Sequence, residues 1–186
     1  ETLKNVTTAL VDYIDDGSGD IEVQAVVNGE TLVFYNAKER HHLHDIYLLV
    51  RSGRTVWLLS NILMVLGLFV VIRREKFNIR SSLMKLSPAF KISVFITLGL
   101  LLALVALYFI DFDWAFRKFH EIFFTNDLWL LDPRTDRLIQ LMPLKFFIDF
   151  TAHWLVSTGG IMILYSILGF GLPKLNRKHL TQSGND

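Results

Sequence analysis

Three long apolar runs punctuate the chain: VWLLSNILMVLGLFVVI at 56–72, ISVFITLGLLLALVALYFI at 92–110 and FFIDFTAHWLVSTGGIMILYSILGFG at 146–171. The first two carry no charge, and each is close to the ~20 residues needed to cross a ~30 Å hydrocarbon core, so three membrane spans are predicted. Between the runs the pattern is mixed. Residues 2–14 read as a short helix and DDGSGD, 15–20, as a loop. IEVQAVV and ETLVFY flank Asn28-Gly29, a pair that signals a two-residue hairpin turn. Residues 37–52 follow a helical period. So do residues from 112 on, with Phe112, Phe116, Phe119, Ile122 and Phe123 on one face and Arg117, Lys118 and Glu121 on the other. Such a helix is expected to lie in the membrane interface with its aromatic face buried.

Composition agrees: 52% of the 186 residues are hydrophobic and 15 are phenylalanine, more than a soluble domain of this size carries. The net charge of +1 hides an asymmetry. Residues 73–91 hold six Lys or Arg against one acid, and 172–186 hold three against one, which predicts that both are cytoplasmic. Residues 1–55 and 111–145 are richer in acids and belong outside. The expected organisation is therefore an extracytoplasmic cap (1–55, a β-hairpin plus a Glu/His helix), a span (56–72), a cytoplasmic loop (73–91), a span (92–110), an outer amphipathic helix and loop (111–145), a span (146–171) and a cytoplasmic tail (172–186). The fold class is an all-α polytopic membrane protein, a helical transmembrane bundle with a small α+β cap. The chain opens on the outer side with Glu1, so a further N-terminal apolar segment, a fourth span or a signal sequence, is expected ahead of it. Cysteine is absent, which removes disulfides, thiolate metal sites and cysteine nucleophiles.

The candidate chemistry sits just ahead of the first run, in ERHHLHD at 39–45. At about 100° per residue, Glu39 and His42 share an arc with Leu43, Ile46, Leu49 and Val50. His41 and His44 fall opposite, with Arg40 and Arg51, and Asp45 lies on the flank one turn from His42. The pattern thus gives one inward Glu and His, with two histidines facing water or headgroups. In the second outer segment His120 lies at the boundary of the amphipathic helix. The following TNDLWLLDPRTDRL joins an apolar core to turn chemistry at Asp132-Pro133, with Asn126 and Asp127 ahead of that core. Trp114 and Trp129 read equally as a membrane-interface belt. Both histidine segments share one side of the membrane, which makes a single site geometrically possible.

The spacing Glu39-x-x-His42-x-x-Asp45, followed by FHEIFFTNDLWLLDPRTD at 119–136, resembles the bacterial lipoprotein intramolecular transacylases. The likeness runs from the hairpin through the last span. It implies a four-span enzyme of the bacterial cytoplasmic membrane with its active site on the extracytoplasmic side. The implied reaction moves the sn-2 acyl chain of a diacylglyceryl lipoprotein to the α-amine of its lipid-modified N-terminal cysteine, giving a lyso-form lipoprotein. The partners implied are that substrate and membrane lipid, with no nucleic acid, no cofactor and no metal. His41 and His44 are extra to the pattern and stay outside the site.

The residues suit this chemistry. Acyl transfer from ester to amine needs a proton removed from nitrogen, an oxyanion stabilised and a proton delivered to the alkoxide, and histidine performs either proton task near neutrality. His42 is assigned as general base, oriented or kept basic by Glu39, and His120 as proton donor or oxyanion partner, with the two roles exchangeable. Asn126 is a candidate oxyanion or substrate donor, Asp127 a candidate to orient His120, and Trp129 a candidate lining for an acyl chain. The rate is expected to fall below the ordinary histidine pKa of ~6.5. No Gly-x-Ser-x-Gly elbow is present, so the substrate's amine is the nucleophile. Two rival readings are a zinc hydrolase using His42, His120 and Glu39, and a non-catalytic assembly or transport subunit.

Overall fold

A computed structural model describes residues 2–27, 29–142 and 144–171. The chain forms two compact units, Glu1–Ser60 with Asp113–Phe147, and Asn61–Phe112 with Ile148–Asp186.

The first unit is mixed α and β. Helix α1 (Thr2–Asp16) places Val6, Leu10, Tyr13 and Ile14 on one face by their spacing. Strands β1 (Gln24–Val27) and β2 (Glu30–Val33) pair antiparallel, Gln24 opposite Val33 and Val27 opposite Glu30. Gly29 has a φ of +87°, the left-handed conformation that glycine adopts without strain. A two-stranded hairpin is marginal by itself. Here Ala25 and Tyr35 join Val6, Leu10, Leu43 and Leu138 in one buried core. The turn after α1 folds back onto that helix so closely that a Cβ on Gly19 would lie 2.0 Å from the carbonyl oxygen of Ala9. Helix α4 (Phe112–Phe123) and the short α5 (Arg137–Leu141) complete the unit.

Helix α2 runs unbroken from Ala37 to Arg74. The sequence reading separates a helix at 37–52 from a span at 56–72; the two are one. Gly53 between them costs only about 1 kcal/mol relative to alanine, too little to end a helix continued on both sides. At 1.5 Å per residue its 38 residues extend ~57 Å, well beyond a ~30 Å hydrocarbon core. The part carrying Glu39, His42 and Asp45 precedes the apolar run and stands outside it.

In the second unit α3 (Ile79–Ile110) begins only four residues after α2 ends. Within the segment expected as a cytoplasmic loop, 73–91, residues 75–78 form a turn, where Lys76 and Phe77 adopt φ of 51° and 62°, and 79–91 are helical. Asn78 Oδ1 accepts from the Ser81 amide at 3.0 Å, an N-cap that starts the new helix. Charge asymmetry reports a side of the membrane and carries no information on backbone conformation, so the basic stretch hid this helix. Helix α6 (Leu144–Ser166) passes into a π-helical turn at Ile167–Gly171, where the Gly169 carbonyl accepts from Ser87 Oγ at 2.7 Å.

Among the described residues α2 and α3 are the two helices long and apolar enough to cross a membrane, and their most apolar windows are 0% and 6% buried within the protein. An uncovered apolar surface of this length is what a membrane-spanning helix presents. The apolar stretch of the third run described here, 156–171, is shorter. The tail expected to be cytoplasmic, 172–186, lies outside the described residues.

Candidate functional site

The start of α2 is organised by a reciprocal cap. Asn36 Oδ1 accepts from the Glu39 amide at 2.9 Å, and Glu39 Oε2 accepts from the Asn36 amide at 2.7 Å, a capping box written in the sequence as Asn-x-x-Glu. Glu39 is 1% exposed, and its second oxygen accepts from the Leu138 amide at 2.6 Å, capping α5 from across the unit. Asp136 joins the same network. Its two oxygens accept from Asn36 Nδ2 at 2.9 Å and from the Asp132 amide at 2.7 Å. The turn expected at Asp132-Pro133 is closed by the Thr135 and Asp136 amides donating to the Asp132 carbonyl.

One turn along α2, His42 is buried, as is Leu43, whereas His41 and His44 are exposed. The outward His44 meets Tyr13 Oη through its Nδ1 at 2.9 Å, a tie between α1 and α2. Buried His120, on α4, lies with its ring centroid 5.9 Å from that of His42. Aromatic rings enclose the pair: Phe116 at 4.1 Å and Phe119 at 5.4 Å from His120, Phe124 at 5.5 Å from His120 and 5.2 Å from His42. The loop after α4 folds back through an Asx turn, Asn126 Oδ1 accepting from the Leu128 amide at 3.0 Å. This brings Trp129 into a stack on His120, 4.9 Å away and 30° from parallel. Trp129 is buried and Trp114 half exposed, so only the second retains the reading as a belt residue.

The two imidazoles differ in their partners. His120 Nδ1 is 2.7 Å from the Phe116 carbonyl; a carbonyl only accepts, so Nδ1 carries the proton and the neutral ring has its lone pair on Nε2. In its resting form His120 is therefore a hydrogen-bond acceptor toward a ligand at Nε2, the base side of the two exchangeable roles. Among the described residues the buried His42 Nδ1 has no hydrogen-bond partner, a state that carries a desolvation cost of about 1–3 kcal/mol. Burial lowers the pKa of both rings. For His42 burial and, next, the neighbouring His120 outweigh the favourable charge of Asp45, and the value falls to about 4. For His120 burial outweighs the Phe116 carbonyl. Both are neutral near pH 7, and the loss of rate expected below ~6.5 no longer follows from His42.

Three other assignments change. Glu39 does not turn to His42, since both its oxygens hold backbone amides; a zinc triad with His42 and His120 loses its third member for the same reason. Among the described residues no three His, Asp or Glu side chains converge as a metal site. Asn126 Nδ2 donates to Asp45 Oδ2 at 2.9 Å, which takes one of its two N–H groups. Asp127 is exposed, with its carbonyl accepting from the Leu130 amide, while His120 is oriented by Phe116. Sequence reasoning missed Asn36, Phe124 and Asp136. Asn36 was readable from its box with Glu39; Asp136 and Phe124 act through contacts that no local spacing encodes.

A helical membrane protein with two neutral, buried imidazoles in an aromatic-walled site is the class these features define. The chain matches the family described as lipoprotein intramolecular transacylase Lit over residues 1–147. It is similar in fold to the membrane-integral lipoprotein intramolecular transacylase Lit from Bacillus cereus, solved in meso, at 19% identity and a TM-score of 0.56, covering 100% of this chain and 75% of that one. A solved variant of that protein with a histidine-to-arginine substitution gives 22% identity and a TM-score of 0.63, covering 96% of this chain and 72% of the other. No curated protein matches the chain. The chain belongs to the lipoprotein intramolecular transacylase family and is an acyltransferase.

Proposed function

We propose that the protein catalyses intramolecular O-to-N acyl transfer on diacylglyceryl lipoproteins, moving the sn-2 chain to the α-amine of the lipid-modified cysteine. The observation that carries this is the pair of neutral buried imidazoles, 5.9 Å between centroids, inside an aromatic enclosure. The amine attacks the ester carbonyl, the C–N bond forms, and the glycerol C–O bond breaks; one proton must pass from nitrogen to the departing alkoxide. His42 takes that proton and returns it, with Asp45 offsetting part of the penalty that burial sets on its charged form. His120 accepts a hydrogen bond from the amine at Nε2 and aims its lone pair. Glu39 and Asp136 act as positioning residues. Trp129, Phe116 and Phe124 line the acyl chain and exclude water. Positioned acid–base catalysis contributes ~10² to 10⁴, and holding donor and acceptor of one molecule together supplies effective molarities of roughly 10⁵ to 10⁸ M.

In this reading residues 1–55 and 111–145 form an extracytoplasmic cap on the cytoplasmic membrane of a bacterium. The 146–171 run is a third span.

The test is purified protein given a diacylglyceryl lipopeptide with a free N-terminal amine. The expected product is an N-acyl, mono-O-acyl lipopeptide of unchanged mass, with no reaction on the N-acetylated analogue. His42→Gln should lower the rate at least ~100-fold, whereas His41→Ala should retain most of it. Crossed products from a mixture of deuterated and light lipopeptides would exclude the intramolecular route, and release of free fatty acid from the N-acetylated analogue would identify a lipase.

A further inference from the structure

Beside the histidine pair, within the first unit, lies a cleft of about 260 Å³ lined by Asp45, Leu48, Leu49, Ser52, Phe124 and Asn126, among others. Leu48, Leu49, Phe123 and Phe124 supply its apolar walls, beside the hydroxyl residues Ser52 and Thr125, and its charged group is Asp45, held by Asn126. Asn126 is fixed at both ends of its amide, Oδ1 accepting from the Leu128 amide and Nδ2 donating to Asp45. The Asp45 carboxyl is thus held in one orientation, half-buried, on the cleft wall. Among the described residues no Lys, Arg or His pairs with it; Lys38 is engaged by Leu130 and Asp136, and Arg54 by Asp15. A half-buried carboxylate on a cleft wall, with one hydrogen bond from Asn126 and no ion-pair partner, has acceptor capacity left for a cation. One carboxyl group and one amide do not make a metal site. A single organic cation flanked by hydrocarbon is the ligand that matches.

We propose that Asp45, braced by Asn126, is the subsite that receives the substrate's N-terminal α-ammonium and so selects lipoproteins with a free amine, an assignment that rests on the transacylase reading above. The volume fits this restricted role. It falls below the roughly 300–1,000 Å³ of sites that enclose a whole drug-sized ligand, so the cleft takes the amino end of the substrate and leaves the acyl chains outside. Asp45 is one helical turn from His42, so a substrate held there has its nitrogen beside the imidazole. Transfer of one ammonium proton to neutral His42 leaves an uncharged amine at the same spot.

The experiment uses two unreactive probes on the full chain in detergent: diether lipopeptides, which have no ester to transfer, one with the α-amine and one with hydrogen in its place. The wild type should bind the amine probe about tenfold more tightly, and Asp45→Asn should abolish that preference while binding the des-amino probe as the wild type does. Asparagine at 45 can still accept from Asn126, so the fold is retained, and the des-amino probe reports this directly. A wild type that shows no preference, a preference that survives Asp45→Asn, or equal loss of both probes in the variant would each overturn the subsite. Turnover of the diester lipopeptide by the same wild-type sample separates the two ideas. Turnover without an amine preference removes the subsite alone, and absence of turnover removes the transacylase reading and the subsite together.

Discussion

His42 shows how a residue's surroundings reverse the expectation drawn from its type. Burial keeps its ring neutral in the folded protein down to about pH 4, whereas the unfolded chain binds that proton near 6.5. Acid therefore favours the unfolded chain. The stability carried by neutral His42 is whole above pH 6.5 and declines as pH falls to 4, by on the order of 3 kcal/mol across the window. His120, also lowered by burial, acts in the same direction. The apparent Tm in detergent should fall between pH 6.5 and 4 more steeply for the wild type than for His42→Phe, which has no proton to gain; parallel curves would mean that His42 is solvated in the folded protein. Which histidine of the ERHHLHD stretch turns inward was legible from helical periodicity, because the face of a helix is a local property. The pKa of that histidine was not, because it depends on Phe124 and His120, about 80 residues away in the chain.

At the scale of elements, Glu39 connects helix starts that are distant in sequence. It closes the capping box of α2 with Asn36 and caps α5 through the Leu138 amide. Glu39→Ala would leave the buried Leu138 amide without an acceptor, at about 1–3 kcal/mol, would remove the part-buried cap on the Asn36 amide, and would release the segment that carries Trp129 over His120. Thermal unfolding in detergent should show this loss. Glu39→Gln should be intermediate, since its single amide oxygen satisfies only one of the two N–H groups. Equal stability of Glu39→Ala and wild type would show that water replaces the carboxyl oxygens and that the latch is dispensable. The exposed tie between Tyr13 and His44 lies in solvent, where such a bond contributes about 0.5–1.5 kcal/mol or less.

The whole molecule must reconcile a polar site with lipid-facing helices. Helix α2 does so by length, its first turns carrying Glu39, His42 and Asp45 and its later turns an apolar surface that the protein leaves uncovered. The charge asymmetry predicts which end faces outward, and the absence of cysteine makes single-cysteine labelling clean. In intact cells a membrane-impermeant maleimide should label Asp12→Cys and spare Arg80→Cys, both exposed positions, until the membrane is permeabilised. Labelling of Arg80→Cys in intact cells would invert the orientation.

The sequence alone determined the two long apolar helical runs at 56–72 and 92–110, the hairpin around Gly29, the inward face of residues 39–50 and the two segments that hold the histidines. Each rests on composition or on a period of two or 3.6 residues, which short-range spacing records. The tertiary structure decided that 37–74 is one helix, that 79–91 is helical, that Glu39 holds backbone amides instead of His42, and that Asn126 braces Asp45. Those outcomes depend on hydrogen bonds between residues about 80 to 100 positions apart, or on caps and turns whose competition with alternatives is settled only when neighbouring elements pack. Buried donors and acceptors must find partners somewhere in the fold, and the partner that wins is a matter of three-dimensional proximity, which no local pattern encodes.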